Sequence, residues 1–192
     1  MTTVLAVAGS ARREGNSDAV LEAALDALRE RGADVSVLYP YRMSITPCRS
    51  CNACWETGRC VIRDEMQDLY PRFDAADHVV VAAPLYFTSL PGHLKVLVDR
   101  FQAHWVRTYR LKQGPRARRR GMFLCVGAMD RERYYRCTLT IVKTWLSCLN
   151  MACAVSRFYG GVDAPDALVR ARPEYLADAR TAAAELLGDV GA

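Results

Sequence analysis

The sequence predicts an α/β chain: a doubly wound, five-stranded parallel sheet in three layers, with helices on both faces. Three observations predict it. Five short apolar or alternating runs, Val4–Ala8, Val35–Tyr39, His78–Ala83, Met122–Val126 and Met151–Phe158, recur along the 192 residues. Between them, apolar residues step by three and four, the period of a helix. No repeat, low-complexity tract or linker breaks the alternation, so residues 1–192 are expected to form one domain. Strands that alternate with helices pair in parallel through right-handed crossovers.

The elements follow in order. Val4–Ala8 has the uniform apolar character of a strand buried on both faces, and it stops at Gly9-Ser10. Residues 17–31 bring Ala19, Val20, Ala23, Ala24, Ala27 and Leu28 to one helical face, ended by Gly32. Val35, Val37 and Tyr39 alternate as a strand does. Residues 40–63 show no period and hold four cysteines; they read as a long loop inserted after the second strand, and such loops tend to be functional. Asp64–Ala75 reads as a short helix with Met66, Leu69, Tyr70 and Phe73 inward. His78–Ala83 is the third strand, Pro84–Ser89 a loop, and Pro91–Gln102 a helix with proline in its first turn. Residues 103–119 read as irregular and basic. Met122–Val126 is strand four, and residues 131–150 are a helix with Ile141, Trp145, Leu146 and Leu149 on its apolar side. Met151–Phe158 is the last strand and about 172–188 the last helix.

Composition narrows the class. Lys plus Arg is 26 and Asp plus Glu is 21, a net +5 that is too diffuse for a nucleic-acid surface. No segment approaches the ~20 apolar residues of a membrane span, and the N-terminal run is too short for a signal peptide. A soluble, cytoplasmic protein without nucleic-acid or membrane partners is expected.

Ligands of doubly wound sheets sit beyond the carboxyl ends of the strands. The loops Gly9–Asn16, Pro84–Ser89 and Gly127–Arg131 should therefore line one crevice. The first, within VLAVAGSARREGNS, is a strand, a tight turn and a helix N-terminus, which aims N–H groups and a helix dipole outward. Ser10, Asn16 and Ser17 add neutral donors and Arg12 a fixed charge. The loop is neither GxGxxG nor a Walker A loop, and suits a single phosphate. The alternative is an ordinary turn with Asn16 or Ser17 as the helix cap. The loop Pro84-Leu85-Tyr86-Phe87 offers backbone donors, acceptors and aromatic faces to a planar, polar-rimmed ring; the alternative is an apolar loop packed on the core.

Cys48, Cys51, Cys54 and Cys60 give C-x2-C-x2-C-x5-C. Residues three apart across a turn lie within ~7 Å, so three thiols can converge, and Cys60 can return as a fourth. The repeat resembles ferredoxin cluster loops, while structural zinc sites space their pairs widely. A reduced loop without metal, a disulfide and zinc are the alternatives to an iron–sulfur cluster.

Weaker signals complete the list. Cys125-x5-Arg131 has the spacing of a phosphatase loop, but Cys125 falls inside a strand. Cys137, Cys148 and Cys153 read as small core residues. His78 reads as structural, and His93 and His104 as nearer the crevice. Pro115–Arg120 reads as a solvated basic loop, or as a patch for the 2′-phosphate of NADPH or an acidic partner. Tyr134 and Tyr135 read as core, or as the wall of a substrate space.

GSARREGNS, the four-cysteine loop followed by VIRDEM, and APLYFTSLPGHLKVLVDR together resemble the flavodoxin-like NAD(P)H-dependent FMN reductase family, and in particular its iron–sulfur flavoprotein branch. The resemblance runs from about residue 3 to residue 101; beyond Arg107 it is one of fold. It implies FMN held noncovalently, with Ser10, Arg12, Asn16 and Ser17 at the phosphate and Pro84, Leu85, Tyr86 and Phe87 along the ring. It implies a [4Fe–4S] cluster on Cys48, Cys51, Cys54 and Cys60, and a homodimer or homotetramer with FMN near a subunit interface. The activity it implies is electron transfer from NAD(P)H to a quinone, a nitro or azo compound, a flavin or a protein, with no catalytic acid or base. The alternative is a ferredoxin-linked carrier without its own NAD(P)H reaction; a scaffold that lost its cofactor is a third class. Asp99-Arg100 also fits the family pattern, with a helix-end surface pair as the alternative.

Overall fold

In the computed structural model, residues 1–113, 119–162 and 169–188 are described. The strands are β1 Thr3–Ala8, β2 Asp34–Leu38, β3 His78–Pro84, β4 Arg119–Val126 and β5 Met151–Tyr159. The helices are α1 Asn16–Glu30, α2 Met66–Ala75, α3 Gly92–Arg100, α4 Gln102–Trp105, α5 Glu132–Cys148 and α6 Pro173–Leu187. All strand pairs are parallel, in the order β2-β1-β3-β4-β5.

The apolar runs become central strands because both of their faces are covered. Ala6, Ala8, Val80 and Ala82 point to a core shared with Val20, Ala24 and Leu28 of α1 and Ala179, Ala183 and Leu186 of α6. Their neighbours Leu5, Val7, Val79 and Val81 point to a second core with Phe73 of α2, Leu94 and Leu97 of α3 and Trp145 of α5. The alternation along one strand therefore feeds two helix layers. Tyr135 belongs to the second core: its ring stacks between Phe123 and Phe158, with centroids 5.8 and 5.2 Å away.

Three expectations need correction. Residues 103–110 are not irregular: α4 runs into a π-helical turn over Val106–Arg110. Arg119 and Arg120 are not loop residues but begin β4. Arg119 Nη1 donates to the carbonyls of Phe73, Asp74 and Ala76 at the end of α2 (3.0, 2.9 and 2.6 Å), where a cation is favoured by the helix dipole. Residues 115–118 of the basic run lie outside the described residues. Cys148 is buried, but Cys137 is exposed rather than a core residue. Among the described residues, no helix is long and apolar enough to cross a membrane.

β1 lies between β2 and β3, so the chain leaves β1 toward one side and β3 toward the other. Their exit loops diverge and leave a crevice at the carboxyl ends, the switch point of such sheets.

Candidate functional site

The crevice is built as the strand order requires. A cavity of about 140 Å³ is lined by Ser10, Arg12, Asn16 and Ser17 from the first loop and by Pro84, Leu85 and Tyr86 from the third strand's exit. Val126 and Gly127, at the end of β4, close it. Pockets for whole ligands run to ~300–1,000 Å³, so this cavity suits one end of a ligand.

Its anion-binding character comes from α1. The N-cap is Gly15, and no side chain caps the helix. The first intrahelical bond runs from Ala19 N to Gly15 O (3.0 Å), so the amides of the first turn face outward. Asn16 and Ser17 are thus not caps. Asn16 Oδ1 accepts from Val169 N (3.0 Å), and Ser17 is buried beneath the cavity. Ser10 Oγ accepts from Arg12 N (3.1 Å), which folds the loop back over the strand end. The Arg12 side chain is exposed at the mouth. Gly9 is needed for close approach: a Cβ there would lie 2.6 Å from Leu94 Cδ2 and 2.9 Å from Ala82 O. His93 Nε2 meets Gly9 O at 3.0 Å, at the base of the first loop, and does not line the cavity.

The second wall is a tight turn. Tyr86 and Ser89 exchange backbone hydrogen bonds of 3.0 and 2.9 Å. Phe87 and Thr88 between them have φ of 49° and 60°. Two positive φ values at the centre of a two-residue turn define type I′, which favours Asn and Gly. A phenylalanine and a β-branched threonine there store strain, a feature that clusters at functional sites. Phe87 is fully exposed at the tip and does not line the cavity, whereas Tyr86 does.

The four loop cysteines meet elsewhere, at a cavity of about 370 Å³ lined by Cys48, Cys51, Cys54, Cys60 and Arg100. All eight cysteines are free, so no disulfide ties the loop. Among the described residues no three ligating side chains converge as one metal ion needs. Zinc, at ~2.3 Å from each sulfur, would draw its ligands to within about 4 Å of one another. The open cavity, with four thiols around it and Asp99 and Arg100 at its wall, has room for a wider, multi-metal group. Cys51 has its pKa lowered by the Ala53 amide and the Arg49 side chain, while burial raises that of Cys54.

With this geometry in hand, the chain was compared with known proteins. The "NADPH-dependent FMN reductase" family profile matches residues 2–151. The chain belongs to the NADPH-dependent FMN reductase family. It is 36% identical over 97 residues to an iron–sulfur flavoprotein of Methanosarcina thermophila, covering 50% of this chain and 51% of that one. It is 33% identical over 125 residues to an iron–sulfur flavoprotein of Methanocaldococcus jannaschii, covering 65% and 61%. The chain spans about half the length of the first of these relatives. Among solved structures, an NAD(P)H:quinone oxidoreductase from Methanothermobacter marburgensis superposes with a TM-score of 0.69 at 21% identity, covering 97% and 96% of the two chains. An azoreductase from Bacillus anthracis gives 0.73 at 17%, covering 96% and 100%. These structures share the fold.

Within this FMN reductase family member, two side chains named from the sequence sit elsewhere than expected. Arg100 is not a surface residue: it is 1% exposed and stands against the cysteine loop. Its position on the Leu94, Leu97, Phe101 stripe of α3 was the available signal. His104 is not at the crevice. It lies 3% exposed beside a second cavity lined also by Thr57, Gly58 and Cys60, with Nε2 3.1 Å from Asp74 Oδ1. Arg107 Nη1 donates to Asp74 Oδ2 at 2.9 Å. Burial alone would raise the Asp74 pKa, but the bonds from His104 and Arg107 outweigh it and hold it at about 2. Burial lowers that of His104 and keeps the ring neutral. Cys125, pushed up to about 12 by burial, is inert as a nucleophile.

Proposed function

We propose that this chain is an FMN-dependent oxidoreductase that takes electrons from NAD(P)H and delivers them to a quinone, a nitro or azo compound, a flavin or a protein. The observation that carries this reading is the meeting, at one crevice, of the uncapped α1 N-terminus with the strained Tyr86–Ser89 turn. Bound FMN would supply two-electron and one-electron chemistry there.

The residues divide the work. The amides of the first turn of α1 and the Arg12 guanidinium neutralise the phosphate, Ser17 is placed to donate its hydroxyl, and Ser10, whose hydroxyl donates to Arg12 O (3.2 Å), shapes the loop. Leu85 N is held by Val126 O (2.7 Å) and Tyr86 N by Ser89 O, which fixes the turn and leaves the Phe87 and Thr88 amides at its tip for a polar ring edge. Tyr86 offers its face along the ring. Among the described residues neither carboxylate nor histidine lines the cavity, and their part there is binding, orientation and exclusion of water. The fully exposed Phe87 supports a homodimer or homotetramer with a subunit contact beside the crevice. The cysteine loop we assign to a [4Fe–4S] cluster on Cys48, Cys51, Cys54 and Cys60. Its cavity favours a second reading, a ferredoxin-linked carrier without its own nicotinamide reaction.

Protein purified without oxygen separates these readings. Flavin absorbance bleached by NADH or NADPH supports the reductase. Bound FMN that neither nucleotide bleaches, together with iron and labile sulfide, supports the carrier. A colourless protein that takes up no added FMN ends both.

A further inference from the structure

The cysteine loop leaves the body of the protein near Thr46 and returns at Cys60–Asp64, and both ends meet one side chain. Arg100 Nη1 donates to Thr46 O (2.7 Å) and Asp64 Oδ2 (2.5 Å). Its Nη2 donates to Asp64 Oδ1 (3.1 Å), to Ile62 O (3.5 Å) and to the Cys60 sulfur (3.5 Å). Arg100 is 1% exposed and the Asp64 side chain 9%, so the pair is shielded from water. The backbone carbonyl of Arg100 accepts from Tyr70 Oη (2.9 Å), which fixes the end of α3 against α2. Asp64 in turn accepts from Thr46 N (2.8 Å), and Gln67 Nε2 donates to Cys60 O and Ile62 O (3.2 and 2.5 Å). One planar fork thus reaches the outgoing strand of the loop, the returning strand and a sulfur. A lysine, a point charge with a flexible stem, could not replace it.

We infer that Arg100 is the positioning residue of the four-cysteine site. It closes the loop through Thr46 and Asp64 and presents an N–H to the sulfur of Cys60. The inference rests on the cluster assignment above only for its second half; the closing of the loop concerns the chain's own residues. Two physical consequences follow. Without the fork, both loop ends lose their shared anchor, and a buried Asp64 loses its cation, so the segment 47–63 opens. With a cluster bound, an N–H directed at a ligand sulfur stabilises the more negative, reduced form and raises the potential. Arg100 lies outside the Ser10–Ser17 and Pro84–Tyr86 crevice, so FMN retention serves as the control for correct folding.

The experiment compares wild type with R100K and R100Q as purified full-length chains. The first readout uses iron-free protein: the rate of trypsin cleavage at Arg49, Arg59 and Arg63, followed by mass spectrometry. Tenfold or greater acceleration in both variants, with far-UV circular dichroism and FMN retention unchanged, is expected. The second readout uses protein reconstituted anaerobically with iron and sulfide. R100K is expected to hold less iron per chain and to show a more negative cluster midpoint potential; a residue that only filled space would leave the potential alone. If R100Q fails to fold, R100K, which keeps the charge and most of the volume, decides. Cleavage, iron content and potential all equal to wild type in a folded R100K would overturn the inference while leaving the cluster assignment intact. A wild type that takes up no iron defeats the cluster assignment, and with it the sulfur contact's effect on potential. In that case cleavage of the iron-free chains alone decides the positioning role.

Discussion

Thr138 Oγ1, on the buried face of α5, donates a 2.8 Å hydrogen bond to the carbonyl of Thr88 at the strained turn beside the crevice. Thr138 is wholly buried. The bond ties a residue of unfavourable φ to α5, which packs in the second core, and so offers one reason the turn persists. T138V keeps the shape and removes the donor, leaving a shielded carbonyl without a partner. A loss of about 1–2 kcal/mol in stability is expected, together with weaker FMN binding as the turn relaxes. Urea unfolding and an FMN titration check both. A variant as stable as wild type with unaltered FMN affinity would deny the clamp.

That clamp was invisible in the sequence, because its partners lie 50 residues apart. What the sequence did disclose depends on local pattern. The central strands β1, β3 and β4 were legible because buried parallel strands are apolar, the edge strand β2 because its apolar residues alternate, and the crevice followed from topology alone. The segment 103–110 was misread because its helical turns draw support from distant groups. Trp105 stacks on Trp55 of the cysteine loop (6.3 Å, 24°), and the Arg110 guanidinium lies 4.4 Å from the Trp55 ring centroid. Arg119 and Arg120 looked like loop because charge seldom opens a buried strand; here their guanidinium groups reach carbonyls at the ends of α2 and α6. Arg100 was named with Asp99, but its burial was not legible because its partner Asp64 lies across the whole of α2.

Among the described residues, Arg12 is the one side-chain cation lining the crevice cavity. A charge-assisted hydrogen bond to phosphate contributes ~1.5–3 kcal/mol, so R12A should raise the Kd for FMN by about 10–100-fold. Riboflavin, which lacks the phosphate, should bind wild type and R12A alike. Fluorescence titration with the two flavins measures this directly. Equal loss for both would mean that Arg12 supports the loop rather than the phosphate.

Gly9 marks the place where β1 gives way to the first loop. Two of the atoms a new Cβ would meet, Ala82 O and Ala83 Cβ, both at 2.9 Å, belong to β3 and cannot swing aside. G9A should therefore push β1 from β3 at the mouth of the crevice. Overpacking of this kind costs about 1–3 kcal/mol. Thermal unfolding should show a lowered Tm and the purified variant a reduced FMN content. An unchanged Tm would mean that the two strands separate freely here.

The Asp74, His104 and Arg107 cluster predicts how stability depends on acid. Asp74 titrates near 3.8 when unfolded and at about 2 in the fold. Its contribution is complete above about pH 4 and disappears as pH falls toward 2. It amounts to about 1–2 kcal/mol after allowance for solvent screening at a side chain one-third exposed. His104 acts earlier and in the same sense. Burial depresses its pKa below the unfolded value of 6.5, so the unfolded chain takes up the proton first and stability declines once pH drops below about 6.5. Urea midpoints at pH 7.5, 5.5 and 2.5 should therefore fall in two stages. H104Q should flatten the first stage and D74N the second, each relative to its own value at pH 7.5. A wild-type midpoint that rose between pH 7.5 and 5.5 would reverse the sign assigned to His104, and would mean that the ring is held as a cation by Asp74.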